Sequence, residues 1–290
     1  MHYKQVKSIL SPKNGMNLYR GCTHGCIYCD SRSDCYQMQH RFEDIEVKAN
    51  AITLLEEALL KKRSRCMIAT GSMSDPYLPL EKTEQLTRRS LELIDRYEFG
   101  FSVITKSDLI LRDIDLLQSI HRKARCVVQM TLTTYDEALC RKLEPNVATT
   151  ARRFQVLKEL QKAGIPTVVW MTPILPFLND TKQNIQGLLE YCGEAGVQGI
   201  LTFGMGLTLR SGNREYYYQK LDEHFPGVKE QYIRKYGTSY QLGLPNSHEL
   251  DAIVANFCRK NHMRFETSSV FEYLTHFDDS GGQLSLFDAQ

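Results

Sequence analysis

Residues 14–30 read NGMNLYRGCTHGCIYCD, a short apolar run followed by Cys22, Cys26 and Cys29 within eight residues. Three thiols delivered by one loop can hold three corners of a metal centre and leave a further coordination position open. Zinc normally takes four ligands, and His24 or Cys35 stands close enough in sequence to complete such a set. An iron–sulfur cluster accepts three cysteines where its fourth iron binds something else. The spacing C-x-x-x-C-x-x-C points to metal and does not choose between the two.

The chain of 290 residues carries nine cysteines. Cys66 and Cys126 open apolar runs, and Cys140, Cys192 and Cys258 are scattered singly, as expected of small buried hydrophobes. Cys35 reads as a solvent-facing thiol just after the loop. An odd, unevenly spaced set is no disulfide framework in a reducing compartment. The opening MHYKQVKSIL has no signal-peptide core, and no apolar run approaches the roughly eighteen residues of a membrane span, so a cytoplasmic protein is expected. With 42% hydrophobic and 24% charged residues the composition is that of a globular chain able to bury its own core. Thirty-six basic residues against 34 acidic ones give +2, which excludes a polybasic tail but not a local nucleic-acid groove.

Outward from the cysteine loop, apolar runs alternate with helical periods. Strands are expected at 16–19, 66–70, 101–105, 127–132, 167–172 and 199–203, several of them apolar on both faces. Amphipathic helices are expected at 51–60, 81–97, 109–123, 150–163 and 180–195, with Asp180 placed to cap the last of these and Gln183 three residues on. Six β/α units with right-handed crossovers predict an α/β fold, a partial (β/α)6 TIM-like barrel. From Ser211 the pattern turns helix-rich and aromatic, at 216–218, 228–236 and 247–261, without linker composition before it. It reads as a C-terminal helical cap on a single domain, 1–276, followed by a flexible tail, 277–290. In such barrels the chemistry gathers at the C-terminal strand ends. Here those ends carry the cysteine loop, TGSMSDPY at 70–77, Thr105-Lys106-Ser107, TLTT at 131–134, Thr172-Pro173 and Gly204-Met205-Gly206. Lys106 at the rim of such a mouth suits a ligand carboxylate or phosphate.

These residues resemble the radical S-adenosylmethionine (SAM) superfamily, marked by C-x-x-x-C-x-aromatic-C and matched by Cys22, Cys26, Tyr28 and Cys29. Further strings resemble the branch related to spore photoproduct lyase: GSMSDPYLPLE at 71–81, ITKSDLILRDIDLL at 104–117, LEPNVATTARRFQVLKEL at 143–160 and AGIPTVVWMTPILPFLND at 163–180. The resemblance implies a [4Fe–4S] cluster on the three cysteines, with S-adenosyl-L-methionine on the fourth iron and a low-potential electron donor of flavodoxin or ferredoxin type. It implies reductive cleavage to methionine and a 5′-deoxyadenosyl radical that abstracts hydrogen from the substrate. It places Tyr28 beside the adenine, and Ser74, Asp75, Lys106, Thr131 and Arg153 about the cofactor. One departure stands out. The lyases carry a hydrogen-donating cysteine in a C-T-S-D string, where this chain has Ser72-Met73-Ser74-Asp75. A hydroxyl O–H bond is too strong to replace a thiol there, which leaves Tyr77 or the run Tyr216, Tyr217 and Tyr218 as tyrosine hydrogen donors, the run reading also as packing aromatics.

Near the end, Gln283, Leu284, Ser285, Leu286 and Phe287 spell QLSLF after a Gly–Gly pair. The string resembles the short motif by which bacterial replication and repair proteins bind the sliding clamp, with two apolar anchors, Leu286 and Phe287, entering a hydrophobic pocket. The other reading folds those residues back on the protein's own surface. Three functions are consistent with the sequence: a radical enzyme acting on nucleic acid or a DNA lesion, a radical enzyme modifying a protein or metabolite, and a zinc-bearing adaptor recruited to the clamp.

Overall fold

The computed structural model describes residues 1–277; QLSLF at 283–287 lies outside them. In chain order the elements are β1 (His2–Lys4), β2 (Gly15–Met16), β3 (Tyr19–Arg20), β4 (Glu46–Lys48), α1 (Ala51–Leu60), β5 (Met67–Thr70), α2 (Glu81–Glu84), α3 (Leu86–Arg96), β6 (Gly100–Thr105), α4 (Ile114–Lys123), β7 (Cys126–Thr131), α5 (Glu137–Leu143), α6 (Thr150–Lys162), β8 (Thr167–Trp170), α7 (Lys182–Glu194) and β9 (Gly199–Leu201). There follow β10 (Gly206–Thr208), α8 (Asn213–His224), α9 (Val228–Tyr236), β11 (Gln241–Gly243), α10 (Ser247–Lys260) and α11 (Thr267–Thr275).

Six strands form one parallel sheet in the order β2-β5-β6-β7-β8-β9, so each crossover leads to the next neighbour and the sheet curls as a partial barrel. Side chains alternate across it. Ile68, Phe101, Val103, Val128, Met130 and Val169 face the outer helices and are buried with Leu91, Leu117, Leu157 and Leu188. On the other face Val127, Val168 and Leu201 pack with Val270 and Leu274 of α11, which lies within the curl. Burial on both sides explains why these strands read as continuous apolar runs. Gly199 makes room for the C-terminal segment, since a Cβ there would meet the Arg264 carbonyl at 3.1 Å and Val270 at 3.3 Å. A single parallel bridge from Gly199 to Arg264 covers the β9 edge.

The expected cap divides into three parts. Helices α8 and α9 build a second core with the cysteine loop, in which Tyr217, Leu221 and Tyr232 pack with Cys26, Ile27 and Tyr28. Helix α10 packs on α7 and extends the outer layer, whereas α11 lines the inner face. The strand expected at 16–19 is two strands in two sheets, because Tyr19 pairs with Val47 of β4 after Met16 has paired with Thr70. The helix expected at 81–97 breaks at Gln85, where the buried Glu81 carboxylate accepts from the Thr87 and Arg88 amides and so satisfies the first turn of α3. Helix α7 is capped by Thr181, not Asp180: the Thr181 hydroxyl accepts from the Asn184 amide at 3.1 Å. Thr181→Ala is therefore expected to lower stability by about 1 kcal/mol, and Asp180→Ala to leave it nearly unchanged, in denaturant unfolding.

Candidate active site

The C-terminal ends of the parallel strands open into a cavity of about 790 Å³. Cys22, Cys26 and Cys29 line it from the loop after β2 and β3; Ser72, Ser74 and Asp75 from the loop after β5; Lys106 follows β6, Thr131 ends β7 and Trp170 ends β8. Phe203 follows β9, and β10 with β11 completes the rim through Leu207, Thr208, Gln241 and Leu242.

Asp75 fixes the geometry of one wall. Its Oδ1 accepts from the Thr105 hydroxyl at 2.7 Å and the Tyr77 amide at 2.9 Å, while Oδ2 accepts from the Lys106 amide at 2.8 Å. The same Oδ2 lies 3.4 Å from His24 Nδ1, where burial holds the imidazole below the ordinary histidine pKa despite the carboxylate. Ser74 ties this wall to the cysteine loop by donating to the Gly21 carbonyl at 2.6 Å. Both side chains are thus positioning groups for loops on three strands, and the Ser74 oxygen retains acceptor capacity.

Lys106 differs. Among the described residues no carboxylate lies within ion-pair distance of its ammonium, which sits 5.9 Å from the centre of the Tyr28 ring. Burial opposes its charge, but the Cys26 sulfur and Glu144 outweigh that and hold its pKa above the ordinary lysine value. It is a cation aimed at the cavity.

Beneath the cavity lies a buried polar network. Tyr28 donates to Glu144, and Glu144 pairs with the fully buried Arg153, whose Nη1 donates to the Thr131 carbonyl at 2.6 Å. Arg153 and Lys106 hold Glu144 below the usual carboxylate range against the opposing effect of burial. Arg153 does not line the cavity; it stands behind Tyr28 and Thr131. Tyr77, Tyr216, Tyr217 and Tyr218 are not among the lining residues either. Tyr217 donates to Tyr232 at 2.9 Å in the second core, and Arg32 lies 3.8 Å above the Tyr216 ring.

The donor set fits a cluster better than a lone zinc ion. Tetrahedral zinc with bonds of about 2.3 Å holds sulfurs about 3.8 Å apart. Among the described residues only His2, His40 and Asp44 have three ligand atoms within 4.8 Å of one another, so at least one pair of the three sulfurs lies farther apart than that. His24 turns to Asp75, and Cys35 accepts from Arg210 at 3.1 Å outside the cavity lining. Burial raises the Cys22 thiol to about 12 and Cys26 well above the ordinary value. A positive metal centre reverses that penalty by binding the thiolate form.

Three features were not singled out from the sequence: Glu144, the aromatic pair Trp170 and Phe203, and the β10–β11 rim. Phe203 closes the strand expected at 199–203, whereas Trp170 lies inside the one expected at 167–172 and reaches the mouth because β8 ends at Trp170. Phe203 is 48% exposed with φ +52°, in a run with Gly204, Met205 and Gly206 that is left-handed throughout. A bulky residue held there costs on the order of 1–3 kcal/mol, and such strain concentrates at functional sites.

A sequence profile of the radical SAM superfamily matches residues 16–192, more than half the chain. An uncharacterised protein of Methanocaldococcus jannaschii is 33% identical over 169 residues, covering 58% of this chain and 62% of that protein. A radical SAM Nalpha-GlyT isomerase of Pseudomonas phage M6 is 27% identical over 182 residues, 62% of this chain and 36% of the isomerase. A solved spore photoproduct lyase variant has the same fold, with a TM-score of 0.62 at 14% identity, covering 90% of this chain and 79% of the lyase. Another, with bound AdoMet and dinucleoside spore photoproduct, gives 0.57 at 13% identity over 87% of this chain and 74% of the lyase. Among the described residues no helix is long and apolar enough to cross a membrane.

Proposed function

Because the chain belongs to the radical SAM superfamily, we propose that it is an enzyme that cleaves S-adenosylmethionine at a [4Fe–4S] cluster on Cys22, Cys26 and Cys29 and acts on nucleic acid. The carrying observation is the meeting of those cysteines with the Lys106 cation in one cavity at the strand ends. When bound, the cluster supplies the electron that splits the sulfonium into methionine and a 5′-deoxyadenosyl radical. A reductant is required, and we assign it to the flavodoxin or ferredoxin class.

The chain's own residues have separable tasks. Lys106 attracts the methionyl carboxylate, with Thr131 and the Ser74 oxygen at the same wall. Tyr28 presents its ring toward the adenosyl side, held by Glu144 and, through Glu144, by Arg153. Asp75 keeps the β5 and β6 loops in register. The nucleic-acid reading draws on the dinucleoside held by the structurally similar lyase and on a cavity with one polar and one aromatic end. Ser72 lines the cavity; by resemblance to the C-T-S-D string of the lyases it stands in place of their hydrogen-donating thiol, which supports a different fate for the product radical.

Anaerobic reconstitution with iron and sulfide tests this. The expected product is a brown protein that releases 5′-deoxyadenosine from S-adenosylmethionine under dithionite. A colourless protein holding stoichiometric zinc overturns the proposal. Deuterium appearing in 5′-deoxyadenosine from labelled oligonucleotides, and not from labelled peptides, identifies the substrate class.

A further inference from the structure

We propose that Trp170 and Phe203 form a stacking wall that receives one unpaired base of a nucleic-acid substrate, an inference that rests on the nucleic-acid reading above. Strand order puts the wall at the far side of the sheet from the cysteines: they follow the first strand of the sheet, β2, whereas Trp170 and Phe203 end or follow the last two, β8 and β9. Both line the same cavity. It therefore has a cationic, sulfur-lined end for the cofactor and an aromatic end to which cleavage of the cofactor gives no task.

The two rings lie 5.1 Å apart, tilted by 53°, and Phe271 of α11 supports both from outside the cavity lining, at 6.3 Å from Trp170 and 6.0 Å from Phe203. The indole is oriented from behind. Its Nε1–H donates to Gln129 Oε1 at 2.7 Å, and Gln129 Nε2 donates to Ser102 Oγ at 2.8 Å, a relay across three adjacent strands. The polar edge of Trp170 is thus satisfied within the protein, and the ring is fixed without a ligand. Phe203 stays half exposed because its left-handed backbone carries it outward. Thr172, Thr208 and Gln241 line the same cavity and supply the few hydrogen-bonding groups that fix a planar heteroaromatic guest by its edge. A base suits this wall because every base has a π-face, and stacking needs no sequence match.

Trp170 is the only tryptophan in the chain, so its emission reports on the wall alone. Titrating the reconstituted protein with single-stranded oligothymidylate is expected to give saturable quenching, and an abasic oligomer of the same length little. Phe203→Ala is expected to weaken the dissociation constant roughly tenfold, with Phe203→Tyr restoring it. Equal quenching by the abasic oligomer, or an unchanged constant in Phe203→Ala, overturns the proposal. Wild-type protein that cleaves S-adenosylmethionine but binds no oligonucleotide refutes the stacking wall and the nucleic-acid substrate while leaving the radical chemistry intact. Protein that binds with base-dependent quenching yet never cleaves the cofactor refutes the radical reading alone.

Discussion

Replacing Cys26 with alanine is expected to abolish both cluster assembly and cofactor cleavage while the barrel still folds. Cys26 is the buried member of the trio and packs in the second core with Ile27 and Tyr28. Its loss leaves two thiols in the loop, too few to hold a cluster whose fourth iron is kept free for the cofactor. Iron per chain should fall from the stoichiometry of a [4Fe–4S] centre to background, and 5′-deoxyadenosine release with it. Cys22→Ala and Cys29→Ala should behave alike. Cys192→Ala provides the contrast: that thiol is buried among Ile185, Leu188 and Leu189, and burial raises its pKa as for a plain core cysteine. Its loss should leave iron content unchanged and lower stability by about 1 kcal/mol, as for other small core truncations. Cys35→Ser should also retain full iron, because its thiol faces Arg210 outside the cavity lining. Full iron in Cys26→Ala would refute the ligand assignment.

The second large effect concerns Glu144. Glu144→Ala strands the Arg153 guanidinium in the interior, fully buried and without its carboxylate, and removes the acceptor of the Tyr28 hydroxyl. Breaking a buried pair from one side typically costs about 3–5 kcal/mol, more than losing either hydrogen bond at a surface. Denaturant unfolding should show that loss, and Glu144→Leu combined with Arg153→Leu should recover much of it, since no unpaired charge is then left inside. The pH dependence follows from the direction of the shift. Glu144 is held below its ordinary value of 4.5 in the folded protein, so its contribution is complete above that value and is lost as the pH falls through the lower, folded one. Wild type should therefore lose stability on acidification below the ordinary carboxylate range more steeply than Glu144→Gln. Parallel acid profiles for the two proteins would exclude Glu144 as the linked group.

Much of the site was legible because strand ends are marked by composition. Cys22, Cys26, Tyr28, Cys29, Ser74, Asp75, Lys106 and Thr131 all line one cavity, as a parallel sheet with short crossovers requires of residues at its C-terminal ends. Arg153 was grouped with them by resemblance, but it sits on α6 one layer behind the wall, and its partner Glu144 gave no periodic signal at all. A buried ion pair is set by which helix packs over which strand, and residues nine apart on α5's end and α6 meet only once both have docked.

By itself, then, the amino-acid sequence determined the parallel sheet, its outer helices and the loop that gathers three cysteines. Those depend on local periodicity and on cysteine spacing within one short segment. Tertiary structure alone decided where residues 213–275 go: α8 and α9 under the cysteine loop, α10 on the outer layer, α11 inside the curl. It also decided which ordinary residues reach the cavity. Trp170 and Phe203 are unremarkable as letters, and only the adjacency of β8 and β9 places their rings side by side at the mouth. The physical reason is that apolar faces specify burial and not the partner, so long-range pairing is settled only when competing surfaces are packed against one another.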